Sequence, residues 1–244
     1  MQGVITLSLI HERYYKWAEI LFRSILNFTS IDFALVYDND EYFKKYNLDK
    51  IVKYPIKKAD IDNPYLYKYK LIECTPFSNT IFFDADTIIT KNIQPLFNTQ
   101  PIAVYGEWDK EWLYNDFSFI SNPKLTIQKH NLKKLYSAYS GYLRFENSEF
   151  YKELFSIILS KVHHDNYFYK IYKREVMPDE YFLNLSITEL ELEKFTPIQL
   201  AFSKNLLNED EYFGYSYQGT GKVGSNKAKD VLRLLDANLN EQLI

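Results

Sequence analysis

Short apolar runs alternate with amphipathic stretches over roughly the first 100 residues. Residues 4–10 form a β-branched and aliphatic run that is typical of a buried strand in an α/β sheet. Apolar residues then recur at steps of three and four, which predicts one face of a helix; they are Tyr14, Ala18, Leu21, Phe22 and Ile25. Residues 33–37, 51–56 and 80–83 repeat the strand pattern. The alternation predicts successive βαβ units and therefore an α/β fold.

The pattern changes after about residue 100. Residues 102–105 and 141–145 again predict strands, but residues 108–139 are a long polar and aromatic stretch of the kind that forms binding loops. Asn147 and Ser148 predict the start of another amphipathic helix. We therefore expect the second part of the chain to combine fewer regular elements with longer loops.

Two features mark the C-terminal part of the chain. Residues 214–224 contain four of the seven glycines, which predicts a segment that moves or that a ligand approaches closely. Residues 228–243 predict an amphipathic helix that packs on the protein's own core. No internal repeat divides the sequence, so we expect a single domain.

Composition limits the classes of protein to which the chain can belong. With 244 residues, 46% hydrophobic and 18% aromatic, it has enough apolar surface for a folded domain of enzyme size. A net charge of −3 disfavours nucleic acid as a partner. Cys74 is the one cysteine, which excludes an internal disulfide and a zinc finger. The N-terminal apolar run is too short for a signal peptide or a membrane span, so we expect a cytoplasmic protein.

Three Asp-x-Asp triplets are the candidates for chemistry. Residues 60–62 have no strand before them, which favours a turn, and residues 38–40 precede a charged stretch that favours the first turn of a helix. Residues 84–86 differ, because the spacer is Ala85 and apolar residues stand on both sides. Two carboxylates at the end of a buried strand suit a hard divalent cation such as Mg²⁺ or Mn²⁺.

The block from Ile81 to Ile89 resembles the donor-site block of the glycogenin-like sugar transferases of glycosyltransferase family 8. The resemblance extends in the family's order over most of residues 4–225, through Thr6-Leu7-Ser8, Tyr14, Ser24-Ile25, Lys70-Leu71, Asn92-Ile93, Leu96-Phe97, Ser140-Gly141-Tyr142 and Asp179-Glu180 with Asn184. It implies one GT-A type α/β domain, with a Rossmann-like, mixed but mainly parallel sheet flanked by helices. Residues 1–100 would form the nucleotide-sugar donor half, 101–225 the acceptor half and closing loop, and 226–244 a C-terminal helix.

The same resemblance implies a function and a site. A metal-dependent, retaining glycosyltransferase would move a hexose from a UDP-sugar, with UDP-glucose the leading candidate, to a carbohydrate or protein acceptor. Asp84 and Asp86 would bind Mn²⁺ or Mg²⁺, and Asp179 and Glu180 would be catalytic. Asp179 could orient the sugar hydroxyls, support an oxocarbenium-like transition state or act as a nucleophile. The implied donor-binding residues are Ser8, Tyr14, Lys70, Phe83, Ala85, Ser140, Gly141, Ser216, Gly219 and Lys222.

Two positions depart from the family. The closing segment of the family has a histidine three residues before the glycine that matches Gly219, and Ser216 stands there instead. Loss of the imidazole should weaken metal binding or shift the preference toward Mg²⁺. Glu180 replaces a usual glutamine, which changes the charge beside the sugar and leaves the donor sugar open.

Two other function classes stay open. An Asp-x-Asp site with a basic closing loop also suits a nucleotidyl- or phosphotransferase, which would release pyrophosphate rather than UDP. A non-catalytic nucleotide-sugar-binding module would bind UDP without turnover. Aromatic residues in the middle stretch, among them Trp108 and Trp112, offer stacking faces to a glycan acceptor. A homodimer is a further prediction.

Overall fold

A computed structural model describes residues 1–46, 51–56, 64–98, 102–107, 123–164, 179–190, 201–202 and 214–216. Its strands are β1 Gln2–Ser8, β2 Asp32–Tyr37, β3 Val52–Pro55, β4 Asn79–Phe83, β5 Thr87–Ile89, β6 Ile102–Glu107, β7 Tyr136–Glu146, β8 Ala201–Phe202 and β9 Gly214–Ser216. Its α-helices are α1 Glu12–Leu26, α2 Asp40–Lys45, α3 Leu71–Cys74, α4 Pro123–Lys129, α5 Glu149–His164 and α6 Asp179–Glu189. Short 3₁₀ helices span Tyr67–Lys70 and Gln94–Asn98.

Six strands form the main sheet, in the order β3-β2-β1-β4-β7-β6. The pairs β1/β2, β1/β4 and β2/β3 are parallel, while β7 is antiparallel to both β4 and β6. A second sheet has the order β5-β9-β8. The expected mixed, mainly parallel α/β sheet is therefore confirmed. Strand β1 has β2 on one side and β4 on the other, so the strand order reverses between β1 and β4. The connections that follow these two strands leave toward opposite sides of the sheet, and a crevice is expected at the carboxyl ends of β1 and β4.

The core lies on both faces of the main sheet. Side chains alternate along β1, so that Val4 belongs to the cluster under α1 while Ile5 belongs to the cluster under α5 and α6. Both residues are fully buried. Burial on two faces explains why β1 is a continuous apolar run rather than an alternating one.

Most of the predicted elements are present, with local differences. The apolar run at 87–89 is β5, and it belongs to the second sheet. Strand β7 begins at Tyr136 rather than at residue 141, because residues 136–139 pair with β6 through an irregular register that apolar patterning does not reveal. Residues 67–74 form a 3₁₀ turn followed by α3. The triplet at 60–62 and the helix at 228–243 lie outside the described residues.

The start of α2 confirms the interpretation of the triplet at 38–40 as a helix start. Asn39 is the N-cap, and its side chain accepts hydrogen bonds from the backbone N–H groups of Glu41 and Tyr42. Asp40 and Glu41 lie in the first turn, where their charges favour the helix dipole. Asp38 takes no part in this cap, and its own contacts are described below.

In the part of the chain that the structure describes, every helix falls short of the length and apolar character needed to cross a membrane.

Candidate active site at the carboxyl edge of the sheet

The turn between β4 and β5 holds the carboxylates of Asp84 and Asp86. The backbone N–H of Asp84 donates to the carbonyl of Gly141 at 2.9 Å, and the N–H of Thr87 donates back to the Asp84 carbonyl at 3.0 Å. Before the turn, the hydroxyl of Thr6 donates to the Phe83 carbonyl at 2.6 Å. These bonds tie the turn to β1 and β7, so both carboxylates are presented from a rigid support.

A buried lysine joins two of the acidic residues. The ammonium of Lys68 lies 3.1 Å from Asp84 Oδ1 and 2.7 Å from Asp179 Oδ2. It also donates to the Ser140 carbonyl at 3.1 Å, and its side chain is only 4% exposed. Sequence analysis missed Lys68 and selected Lys70. The ammonium of Lys70 lies over the Tyr67 ring, 5.7 Å from its centroid, so a role for it in donor binding stays a prediction.

Helix α6 brings Asp179 and Glu180 to the same edge. Asn184, one turn along α6, is fully buried and clamps the helix to β7: its Oδ1 accepts from the Ala138 N–H at 2.6 Å, and its Nδ2 donates to the Ala138 carbonyl at 3.3 Å. The Tyr69 hydroxyl donates to the Asp179 carbonyl at 3.3 Å. Glu180 Oε1 lies 3.5 Å from the Ser140 N–H. The helix start is therefore fixed against both β7 and the 3₁₀ turn.

The acidic side chains outnumber the buried ammonium, and their pKa values reflect this. Burial by itself lowers the pKa of Lys68, but the charges of Asp179 and Asp84 outweigh it and raise that pKa. Burial raises the pKa of Asp84 to about 6, with Lys68 opposing the rise and Asp86 adding to it. Burial, then the charge of Asp179, raises the pKa of Glu180 to about 8. The site therefore has a deficit of positive charge.

The donor set suits a hard divalent cation. Asp84 and Asp86 would supply oxygen ligands from one turn, and without a cation the negative charge of Asp86 makes ionisation of Asp84 less favourable. Strand register places Ser216 opposite Thr87, so the backbone of the residue that replaces the family histidine lies next to Asp86. Within the described residues, no group of three or more His, Cys, Asp or Glu is arranged to hold a metal. Two carboxylates would need further ligands from substrate, water or Ser216.

The other predicted donor-binding residues lie around the end of β1 and in the core. Ser8 donates its hydroxyl to the Tyr14 carbonyl at 3.0 Å. Arg13 stacks on the Tyr14 ring and donates to its hydroxyl at 3.0 Å. The side chains of Phe83 and Ala85 are buried in the core, so they can offer a ligand only the neighbouring backbone. Gly219 and Lys222 lie outside the described residues.

Tyr65 lies just before the 3₁₀ turn that carries Lys68. Burial raises its pKa, and the nearby hydroxyl of Tyr14 and the charge of Asp179 add to the rise. Its side chain is 47% exposed.

Replacing Glu180 by glutamine should stabilise the fold in neutral solution without divalent cations. The ordinary pKa of a glutamate is 4.5, and the pKa of Glu180 in the folded protein is about 8. At pH values between these two, the Glu180 carboxyl is ionised in the unfolded chain and protonated in the folded chain. Folding stability contributed by the carboxyl therefore falls as pH rises through that window. Thermal unfolding in EDTA should show Glu180→Gln and wild type converging at pH 5 and the variant melting about 2–6 °C higher at pH 8.

Glu153→Gln is the matched control for this measurement, because Glu153 is an exposed glutamate on α5. Its melting temperature should follow that of the wild type at every pH. A difference between Glu180→Gln and wild type that does not change with pH would contradict the burial of a protonated carboxyl.

Comparison with solved structures identifies the fold. The galactosyltransferase LgtC, in complex with donor and acceptor sugar analogs, matches with a TM-score of 0.65 at 12% identity, over 97% of this chain and 96% of that one. Mouse xyloside xylosyltransferase 1 matches with a TM-score of 0.57 at 13% identity, over 90% and 98%. The glycosyltransferase GlyE of Streptococcus pneumoniae matches with a TM-score of 0.61 at 12% identity, over 99% and 63%. The expected glycogenin-like GT-A fold is confirmed.

Sequence comparison gives a weaker match. No protein-family model matches the chain. UDP-glucuronate:xylan alpha-glucuronosyltransferase 2 of Arabidopsis thaliana is 27% identical over 134 residues, which cover 50% of this chain and 22% of the relative. The chain therefore spans about a fifth of the length of this curated relative.

Proposed function

We propose that the protein is a glycosyltransferase that moves a hexose from a UDP-sugar to a carbohydrate acceptor with retention of the anomeric configuration, using a divalent cation. The arrangement of Asp84, Asp86, Lys68 and Asp179 at one edge of a GT-A sheet is the main support. The Arabidopsis relative is named for a UDP-sugar donor and a glycan acceptor. A solved neighbour was crystallised with donor and acceptor sugar analogs.

Donor binding would use the carboxylates and the connections around them. Asp84 and Asp86 would hold Mg²⁺ or Mn²⁺, with Ser216 or water as a further ligand, and the bound cation would neutralise the charge that develops on the departing diphosphate. Lys70 and Lys222 are candidates for contact with the phosphates. Tyr14 offers its ring to the base. The rigid turn between β4 and β5 would keep the two carboxylates in place before substrate arrives.

Asp179 is the candidate for the sugar-facing group. Its side chain is 9% exposed, and its Oδ2 is paired with the ammonium of Lys68. An ionised carboxylate can stabilise positive charge at the anomeric carbon or accept hydrogen bonds from sugar hydroxyls. Both roles require the orientation that Lys68 and α6 impose on it.

Glu180 would be neutral before a cation binds. Its pKa of about 8 keeps the carboxyl protonated at pH 7 when no cation is bound, so it can donate a hydrogen bond as an amide would. This offers a physical reason why glutamate is tolerated where the family has glutamine. A bound divalent cation would lower this pKa, so the neutral form belongs to the metal-free protein.

A panel of nucleotide sugars tests the proposal. Purified protein should release UDP from at least one UDP-sugar in Mg²⁺ or Mn²⁺, and EDTA should abolish this release. Nuclear magnetic resonance of the product should show the anomeric configuration of the donor. Release of pyrophosphate instead of UDP would favour a nucleotidyl- or phosphotransferase. Binding of UDP without turnover of any donor, with and without sugar acceptors, would favour a non-catalytic binding module.

A further inference from the structure

Ile10 has a backbone conformation that is unusual for its side chain. Its φ is 71°, in the left-handed region that β-branched residues avoid because their Cβ substituents clash with the backbone there. The residue lies two positions after β1, immediately before the N-cap of α1, and its side chain is 48% exposed. The strain is therefore not compensated by burial of the isoleucine in the core. Strained residues of this kind concentrate at functional sites.

Two residues hold Ile10 in this conformation. Asp38, which follows the adjacent strand β2, accepts a hydrogen bond from the Ile10 N–H through Oδ2 at 2.8 Å. The hydroxyl of Tyr15 donates to the other oxygen of Asp38 at 2.7 Å. The same hydroxyl accepts from the backbone N–H groups of Asp38 and Asn39 at 3.0 and 2.8 Å. Because Tyr15 is fully buried, the network has a fixed base.

The position of Ile10 places it beside the proposed donor site. In the parallel register of β1 and β4, Ile5 is opposite Phe82, so the residues that follow β1 run alongside the Asp84 turn. Thr6 in β1 donates its hydroxyl to the Phe83 carbonyl directly before that turn, and Ser8 donates to the Tyr14 carbonyl of α1, so the connection that contains Ile10 leaves the sheet at this edge. An exposed aliphatic side chain here can cover one face of a planar ring.

We propose that Tyr15 and Asp38 are positioning residues that hold the strained Ile10 so that its side chain packs against the base of the donor nucleotide. The inference rests on the proposed function, since it needs a nucleotide at this edge. It also assigns a role to Asp38, the member of the triplet at 38–40 that does not cap α2. The strain is then a cost in stability that is retained for binding.

Calorimetric titration with UDP in Mg²⁺ tests the inference. Tyr15→Phe keeps the ring in the core and removes only the hydroxyl, and it should weaken UDP binding roughly tenfold, which is the effect of misplacing one apolar contact. Because the network does not contact the reacting sugar, KM for the donor should rise by a similar factor while kcat changes by less than about twofold. A loss of kcat with unchanged KM would overturn the inference.

Tyr37→Phe is the matched control. The hydroxyl of Tyr37 donates to Asp40 Oδ1 at 3.0 Å, so the chain contains a second tyrosine–aspartate pair at the same sheet edge that does not contact Ile10. This variant should bind UDP as the wild type does. Equal weakening by Tyr37→Phe and Tyr15→Phe would overturn the inference, because the effect would then come from general loosening of the edge.

Ile10→Asn separates binding from stability. Asparagine adopts the left-handed conformation more readily than isoleucine, so the melting temperature should be unchanged or higher by about 2–4 °C, while UDP binding weakens. A lower melting temperature with unchanged UDP affinity would overturn the inference. If the wild type itself binds no UDP, the proposed function fails first; if it binds UDP and all three variants bind equally well, only this inference fails.

Discussion

Replacing both Asp84 and Asp86 by asparagine should abolish UDP release, with a loss of at least about 1,000-fold in kcat/KM. Asparagine keeps the size of the side chain but removes both negative charges, and a neutral amide is a weak ligand for Mg²⁺ or Mn²⁺. Without the cation, the charge on the departing diphosphate is not neutralised, and losses of this size are typical when such electrostatic stabilisation is removed. The measurement is UDP release with the best donor of the panel.

The fold should survive this double substitution. Burial raises the pKa of Asp84, and the charge of Asp86 adds to that rise, so removing both charges relieves a repulsion. Lys68 keeps its contacts to Asp179 and to the Ser140 carbonyl. We therefore expect a melting temperature equal to or above that of the wild type, together with the loss of any stabilisation by added Mn²⁺.

Asp40→Asn is the control for the double variant. Asp40 also follows a parallel strand of the same sheet, but it is exposed and lies in the first turn of α2. It should retain the activity of the wild type. Equal UDP release by the wild type and the double variant would remove Asp84 and Asp86 from the mechanism and, with them, the main support for the proposed function.

The sequence predicts the sheet and the acidic turn because both depend on local patterns. Strands β1, β2 and β4 are buried on two faces and are therefore short, mainly apolar runs. Two aspartates separated by Ala85, directly after such a run, are typical of a turn at the strand end. Asp179 and Glu180 were identified from family resemblance, since nothing in their local pattern indicates a site.

Lys68 could not be selected in the same way. Lys68 and Lys70 alternate with tyrosines in one short stretch, and both precede the same strand. Which of them points inward depends on the 3₁₀ geometry of Tyr67–Lys70, whose turn is tighter than that of an α-helix. The local sequence pattern therefore does not distinguish the two lysines.

The contacts of Ile10 and Asp38 are missed for a related reason. Asp38 lies 28 residues from Ile10 and 23 from Tyr15, so their hydrogen bonds exist only once β1 and β2 are paired. The sequence around Asp38 correctly predicts the start of α2. Because a helix start already accounts for the polar residues there, the sequence pattern gives no sign that Asp38 also has a long-range contact. A positive φ at an isoleucine is likewise a result of tertiary contacts rather than of local preference.

Replacing Lys68 by methionine should destabilise the fold by about 3 kcal/mol, because removing one partner of a buried ion pair leaves the carboxylates of Asp84 and Asp179 without their counter-ion. For a chain of this length that corresponds to a fall of about 6–12 °C in melting temperature. The loss should be smaller at pH 5.5 than at pH 8, because Asp84, whose pKa burial raises to about 6, can then take up a proton. Thermal unfolding in EDTA at both pH values measures this.

A second substitution distinguishes a charge effect from a packing effect. Adding Asp84→Asn to Lys68→Met removes one of the two negative charges that have lost their counter-ion. The double variant should therefore have a higher melting temperature at pH 8 than Lys68→Met alone, although it carries one more substitution. Lys70→Met should cost less than about 1 kcal/mol, since the Lys70 ammonium lies over an aromatic ring at a partly exposed position. A large loss with Lys70→Met and a small one with Lys68→Met would instead support the lysine selected from the sequence. Additive losses in the combined variant would show that Lys68 acts through packing rather than through its charge.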